Sequence, residues 1–141
     1  MFPLTRPFRQ GLATAALCVF TVLPTVFVAL SAWPDLSVVR GESDDYTDHH
    51  PGPADIALVV EVADSSLSRD RGEKRDNHAR AGIPVYWIVN LVGRQLEVSS
   101  NPTGGAHPPA TILGETDSAD LVIAGQVVGR IAVANLLPKQ P

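Results

Sequence analysis

The stretch DIALVVEV, residues 55–62, does most to limit what this chain can fold into. It has the length of a strand, and its apolar residues fall on both parities, as in a central strand covered on both faces. SLSRDRGEKRDNHARAG (66–82) follows and reads as a helix. Ser68 offers an N-cap, Asp70 suits the first turn, and Gly82 with Pro84 ends it. PVYWIVN (84–90) is then a second apolar strand. Strand, helix, strand is the heart of an α/β domain. One residue disturbs the pattern. Glu61 places a carboxylate near the end of the central strand, and a buried ionised carboxylate costs several kcal/mol unless something pairs with it or coordinates it.

The flanking segments fit the same reading. DLSVV (35–39) is a short strand, and ESDDYTDHHPGP (42–53) is an acidic loop rich in turn formers. After Gly93 the alternation of RQLEVSS (94–100) predicts a half-exposed hairpin partner, and NPTGGAHPPA (101–110) a mobile loop. TILGE and DLVIAGQVVGRI add further strands with a turn at Gly125-Gln126, and a short helix closes the chain near 132–137. At 141 residues the chain has the length of one domain. Its net charge of −4 gives no overall sign of nucleic-acid binding. The single cysteine, Cys18, excludes an intrachain disulfide and a cysteine-based zinc site.

The amino-terminal segment stands apart. Residues 11–33 carry no charge and follow a start that contains Arg6 and Arg9. This is the pattern of a membrane-spanning segment, or of a secretory signal with small residues at Ala29, Ser31 and Ala32. A buried helix and strand is the alternative. The expected division is a leader over 1–32 and a domain over 33–138.

Three residues can carry chemistry. Asp35 heads a short strand, Glu61 lies 26 residues later, and Lys74 is on the following helix. Two carboxylates at neighbouring strand ends suit a hard divalent cation such as Mg²⁺, and a nearby ammonium can stabilise charge developing on a phosphate. Taken singly, the three read as a turn residue, a strand-end ion pair and a solvated helix position. The other basic residues of the helix, Arg69, Arg71, Arg75 and Arg80, read as a mixed-charge solvated face. Tyr86 and Trp87 read as core. His49 and His50 lack a third ligand at useful spacing, and neither Ser65 nor Ser66 has a nucleophile-elbow pattern that would pair it with His78.

The segments WPDLSVVRG, ADIALVVEVADSS, DRGEKRDNHARAGIPVYWIVNL and RQLEV, in this order and spacing, resemble the Uma-type restriction endonuclease family, a branch of the PD-(D/E)XK nucleases. The resemblance covers residues 33–137. It implies a restriction-endonuclease-like core, a mixed β-sheet flanked by helices. It also implies a DNA substrate, a cytoplasmic location, a homodimer, and Mg²⁺ (or Mn²⁺) held by Asp35, Glu61 and the backbone carbonyl of Val62. The lysine two residues after the acid would fall on Ala63, so the resemblance assigns its role to Lys74. Two departures stand out. His78 replaces a tyrosine, and the uncharged 11–33 segment replaces the usual acidic front elements, so the amino-terminal part looks missing or replaced and a sheet edge is expected to lie bare. The alternative to a nuclease is a non-catalytic remnant of the same fold, anchored in a membrane through 11–33 or binding nucleic acid without cutting it.

Overall fold

The computed structural model describes residues 26–29 and 34–140. A six-stranded sheet runs in chain order, β1 (Val26–Ala29), β2 (Leu36–Arg40), β3 (Ile56–Ala63), β4 (Val85–Asn90), β5 (Gln95–Ser100) and β6 (Thr111–Gly114). Only β3 and β4 pair in parallel, and the other neighbours are antiparallel. A parallel pair needs a crossover, and the crossover is the helix α1, made of Leu67–Arg69, Asp70–Lys74 and Arg75–Arg80. Its middle stretch is a π turn. A separate hairpin, β7 (Ser118–Ile123) with β8 (Gln126–Ala132), leads to a 3₁₀ turn at Val133–Leu136.

Strand alternation sends the two parities of β3 and β4 into two different cores. Leu58, Val60, Trp87 and Val89 pack with Leu121, Ile123, Val133 and Leu136 from the hairpin and the 3₁₀ turn. Val59, Ala63, Tyr86 and Ile88 form the other cluster, with Ile83 and with Leu67 of α1 against it. A fully buried aliphatic or aromatic side chain contributes about 1.5–3 kcal/mol, so both layers together can offset several buried polar groups. Glu61 shares its parity with Val59 and therefore faces α1.

Several expectations shift. The helix begins after Ser66 and not Ser68, and the Ser66 hydroxyl bonds the Asp70 side chain instead of capping the backbone. The β7–β8 turn is Ala124-Gly125, one residue earlier than expected, with both residues at positive φ (51° and 77°), as a two-residue hairpin turn of the mirror type requires. β5 is not half-exposed, since Glu97 and Ser99 lie buried under α1. The 101–110 loop is not loose either. Arg75 donates to the carbonyls of His107 and Pro108, and the buried His107 ring stacks on Tyr86 at 6.2 Å.

Within the 11–33 stretch, Val26–Ala29 is a strand paired with β2, so that edge of β2 is not bare. The remainder of the stretch, like Arg6, Arg9 and Cys18, lies outside the described residues. Among the described residues no helix is long and apolar enough to cross a membrane.

Candidate active site

β2 and β3 run antiparallel with Leu36 opposite Val60, so continuing the register sets Asp35 opposite Glu61. Asp35 is half-buried at the head of β2, and its Oδ2 accepts the Val62 backbone N–H at 2.9 Å. Glu61 is 1% exposed. Lys74, one strand-to-helix crossover later, brings its Nζ to 3.1 Å from Glu61 Oε2 and 2.9 Å from Asp70 Oδ1. The three residues singled out in the sequence thus share one end of β3, and the structure adds Asp70, which is fully buried.

The helix sets the alignment. Asp70 and Lys74, four residues apart, share one helical face, and they meet as an ion pair. Ser66 Oγ donates to Asp70 Oδ2 at 2.5 Å, and Tyr86 donates its hydroxyl to the Asp70 carbonyl at 2.9 Å. Ser66 therefore serves Asp70 and makes no nucleophile pair with His78.

Charge is out of balance here. Asp35, Glu61 and Asp70 place three carboxylates around the single Lys74 ammonium. Glu61 Oε1 makes no hydrogen bond, and His78 Nε2 lies 3.7 Å from it. Burial pulls the Glu61 pKa up, but His78 and Lys74 outweigh it and hold the group below its ordinary value, so it stays ionised. Asp35 moves the other way. Burial and the charge of Glu61 raise its pKa against the opposing pull of the Val62 N–H and Lys74. Lys74 is itself held above the usual lysine value, because Asp70 and Glu61 overcome the cost of its burial.

A second acid under the same helix provides an internal contrast. Glu97, 3% exposed on β5, receives Arg71 through both oxygens at 2.9 and 2.6 Å, with Asn90 at 3.1 Å and Gln95 at 3.3 Å. Both its oxygens are engaged, whereas one of Glu61's is not. Arg71, Lys74, Arg75 and His78 follow the i, i+3, i+4, i+7 spacing of one helical face. Arg75 and His78 turn toward the sheet, so for Arg75 the expected solvated face is corrected, whereas Arg71 stays half open to solvent while it pairs with Glu97. Arg71 reaches Glu97, and Arg75 reaches Ser99 at 3.2 Å. The signal was present in the spacing but was masked, because a sheet-facing stripe is normally apolar.

Among the described residues no three His, Cys, Asp or Glu side chains are grouped to hold a metal. A cation here would rest on two carboxylates and the main chain. The donors still suit a hard divalent ion: all are oxygens, one buried oxygen is unbonded, and the surrounding charge is negative.

Residues 4–134 match the family described as "Uma2: Putative restriction endonuclease". The chain belongs to this family. The Uma2 match begins ahead of Trp33 and takes in β1 and the whole site. No curated protein matches. Among solved structures, the chain is similar to a "putative nuclease belonging to DUF820 from Anabaena variabilis ATCC 29413", with a TM-score of 0.67 and 13% identity. The likeness covers 95% of this chain and 82% of that one, and shows that the two share a fold.

Proposed function

We propose that this Uma2 member is a metal-dependent endonuclease that hydrolyses phosphodiester bonds in DNA. Asp35, Glu61 and the Val62 carbonyl would hold Mg²⁺, or Mn²⁺ in its place. The observation that carries the reading is the unbonded, buried Oε1 of Glu61 beside Asp35, in a cluster where carboxylates outnumber the ammonium. A buried carboxylate oxygen that accepts no hydrogen bond and has the His78 ring 3.7 Å away calls for an explanation, and a divalent ion supplies one. When bound, the ion provides positive charge for the phosphate oxygens and lowers the pKa of water.

The chain's own residues do the rest. Glu61 stays ionised under Lys74 and is ready as a ligand, while Asp35, which resists ionisation, gains from a nearby cation. Lys74 would donate to a non-bridging phosphate oxygen and orient the attacking water. Water adds to phosphorus and the bridging P–O bond breaks, leaving a phosphate monoester and a hydroxyl. One copy carries one such site and cuts one strand, so cutting both strands at once draws on a second copy. A DNA substrate fits a cytoplasmic protein, which cell fractionation tests; the strand at Val26–Ala29 takes part of the 11–33 segment into the sheet and counts against its use as an anchor.

The test is nicking of supercoiled plasmid with Mg²⁺ by the wild type, Asp35→Ala and Glu61→Ala, with unfolding curves alongside. Loss of nicking in both variants, each still folded, supports the reading. Wild-type nicking in either variant removes that residue from the metal site, and in both it overturns the assignment.

A further inference from the structure

The cluster contains one buried acid that the metal-binding scheme does not use. Asp70 is fully buried, yet its carboxylate is engaged on both sides, by Ser66 Oγ at 2.5 Å and Lys74 Nζ at 2.9 Å. Its backbone is pinned as well, through the Tyr86 hydroxyl at 2.9 Å. Burying a carboxylate is costly, and an apolar residue at this position would avoid that cost. The return lies in what Asp70 does to Lys74. A lysine stem has many rotamers and loses much conformational freedom when it is held in one of them. Here the ammonium lies between Asp70 and Glu61, at 2.9 and 3.1 Å, with its side chain 13% exposed.

We infer that Asp70 is a positioning residue for Lys74, with Ser66 setting its carboxylate and the i, i+4 spacing putting both on one helical face. The inference rests on the nuclease reading for its catalytic consequence, because it is the water and phosphate beside Glu61 that the ammonium must face. Its structural half stands apart from that reading. Without Asp70, Lys74 keeps only the Glu61 contact and gains access to solvent.

The chain supplies its own control, since it has two lysines, Lys74 and the exposed Lys139. Labelling the full chain with an amine-directed acetylating reagent across a range of pH, and reading both sites by peptide mass spectrometry, separates the access of the reagent to Lys74, seen in the limiting rate at high pH, from the fraction of free amine. In the wild type Lys74 labels far more slowly than Lys139. Asp70→Asn, which keeps the shape and removes the charge, raises the Lys74 rate about tenfold, and Ser66→Ala, which keeps the charge, raises it by less. In the plasmid assay Asp70→Asn lowers kcat about tenfold or more, with KM and the Mg²⁺ requirement changed by less than about threefold. The decisive readout is the pair. In a Lys74→Ala background Asp70→Asn lowers kcat no further, because the residue through which it acts on turnover is gone. Unchanged Lys74 labelling in folded Asp70→Asn overturns the inference, and so does a full additional loss in the double variant. If the wild type does not nick DNA at all, the nuclease reading falls, and the labelling still decides the role of Asp70.

Discussion

Replacing Lys74 by methionine tests the electrostatics of the site most directly. The stem is nearly matched in length and volume, so packing is kept while the ammonium is lost. Two buried acids, Glu61 at 1% exposure and Asp70 at zero, then face each other with no cation between them. Removing one partner of a buried ion pair costs about 3–5 kcal/mol, a large share of the roughly 5–15 kcal/mol that holds a domain together. With a urea m-value of about 2 kcal/mol/M, the midpoint falls by about 1.5–2.5 M. One change should reverse part of this loss. Adding Glu61→Gln removes one charge outright, so the double variant is more stable than Lys74→Met alone. The assay is urea unfolding followed by circular dichroism at pH 7.5, without divalent ions. A loss below about 1 kcal/mol, or a double variant no more stable than Lys74→Met, would show that the two acids do not depend on the Lys74 ammonium.

Tyr86→Phe removes the donor to the Asp70 carbonyl and should cost about 1–3 kcal/mol by leaving a buried acceptor unpaired; an unfolding midpoint equal to the wild type would refute that. His107 has its pKa pushed down by burial and then by Arg75 and His78, so the folded state favours the neutral ring. Its contribution to stability is complete above the ordinary histidine range and fades as pH drops below it; His107→Phe should flatten that slope between about pH 7 and 5. Glu97 lies below the ordinary carboxylate value because Arg71, Asn90 and Gln95 outweigh its burial. Its contribution is present above that value and is lost as pH falls beneath it, so Glu97→Gln should lower stability at pH 7 and reduce its acid dependence below about pH 4.5. An unaltered acid limb would contradict this.

Much of the sheet could be read from the sequence because its signals are local. DIALVVEV and PVYWIVN are strand-length apolar runs separated by a helix-length polar segment, and they form the parallel pair β3 and β4. The position of Asp35 against Glu61 was also legible through the proline-aspartate and the acid of the next strand. What the sequence hid was the orientation of α1. Arg75 looks like an ordinary surface residue and Asp70 like a first-turn acid, and only the polar groups on the sheet and in the helix itself, Ser99 for Arg75 and Ser66 for Asp70, show that they turn inward. Polar residues on both sides of an interface cancel the apolar period that would have revealed it. The 101–110 loop was hidden for the same reason, since two carbonyl bonds from Arg75, a residue far away in the chain, fix it.

The two buried acids under α1 are paired in different ways by one helix. Glu97 meets a guanidinium whose planar fork fills both of its oxygens, and amides from Asn90 and Gln95 complete the shell. Such a carboxylate has nothing left to offer a ligand, and Arg71 cannot leave it without stranding a charge. Glu61 meets an ammonium that Asp70 also claims, and a single ammonium does not close both oxygens of an acid. Exchanging the cations would invert the roles. Lys74→Arg would present a bidentate fork to Glu61 and satisfy Oε1, so it should preserve or raise stability while weakening Mg²⁺ binding. Isothermal titration with Mg²⁺ measures the second effect and urea unfolding the first. Undiminished Mg²⁺ affinity in a folded Lys74→Arg variant would mean that the open oxygen of Glu61 is not where the ion binds.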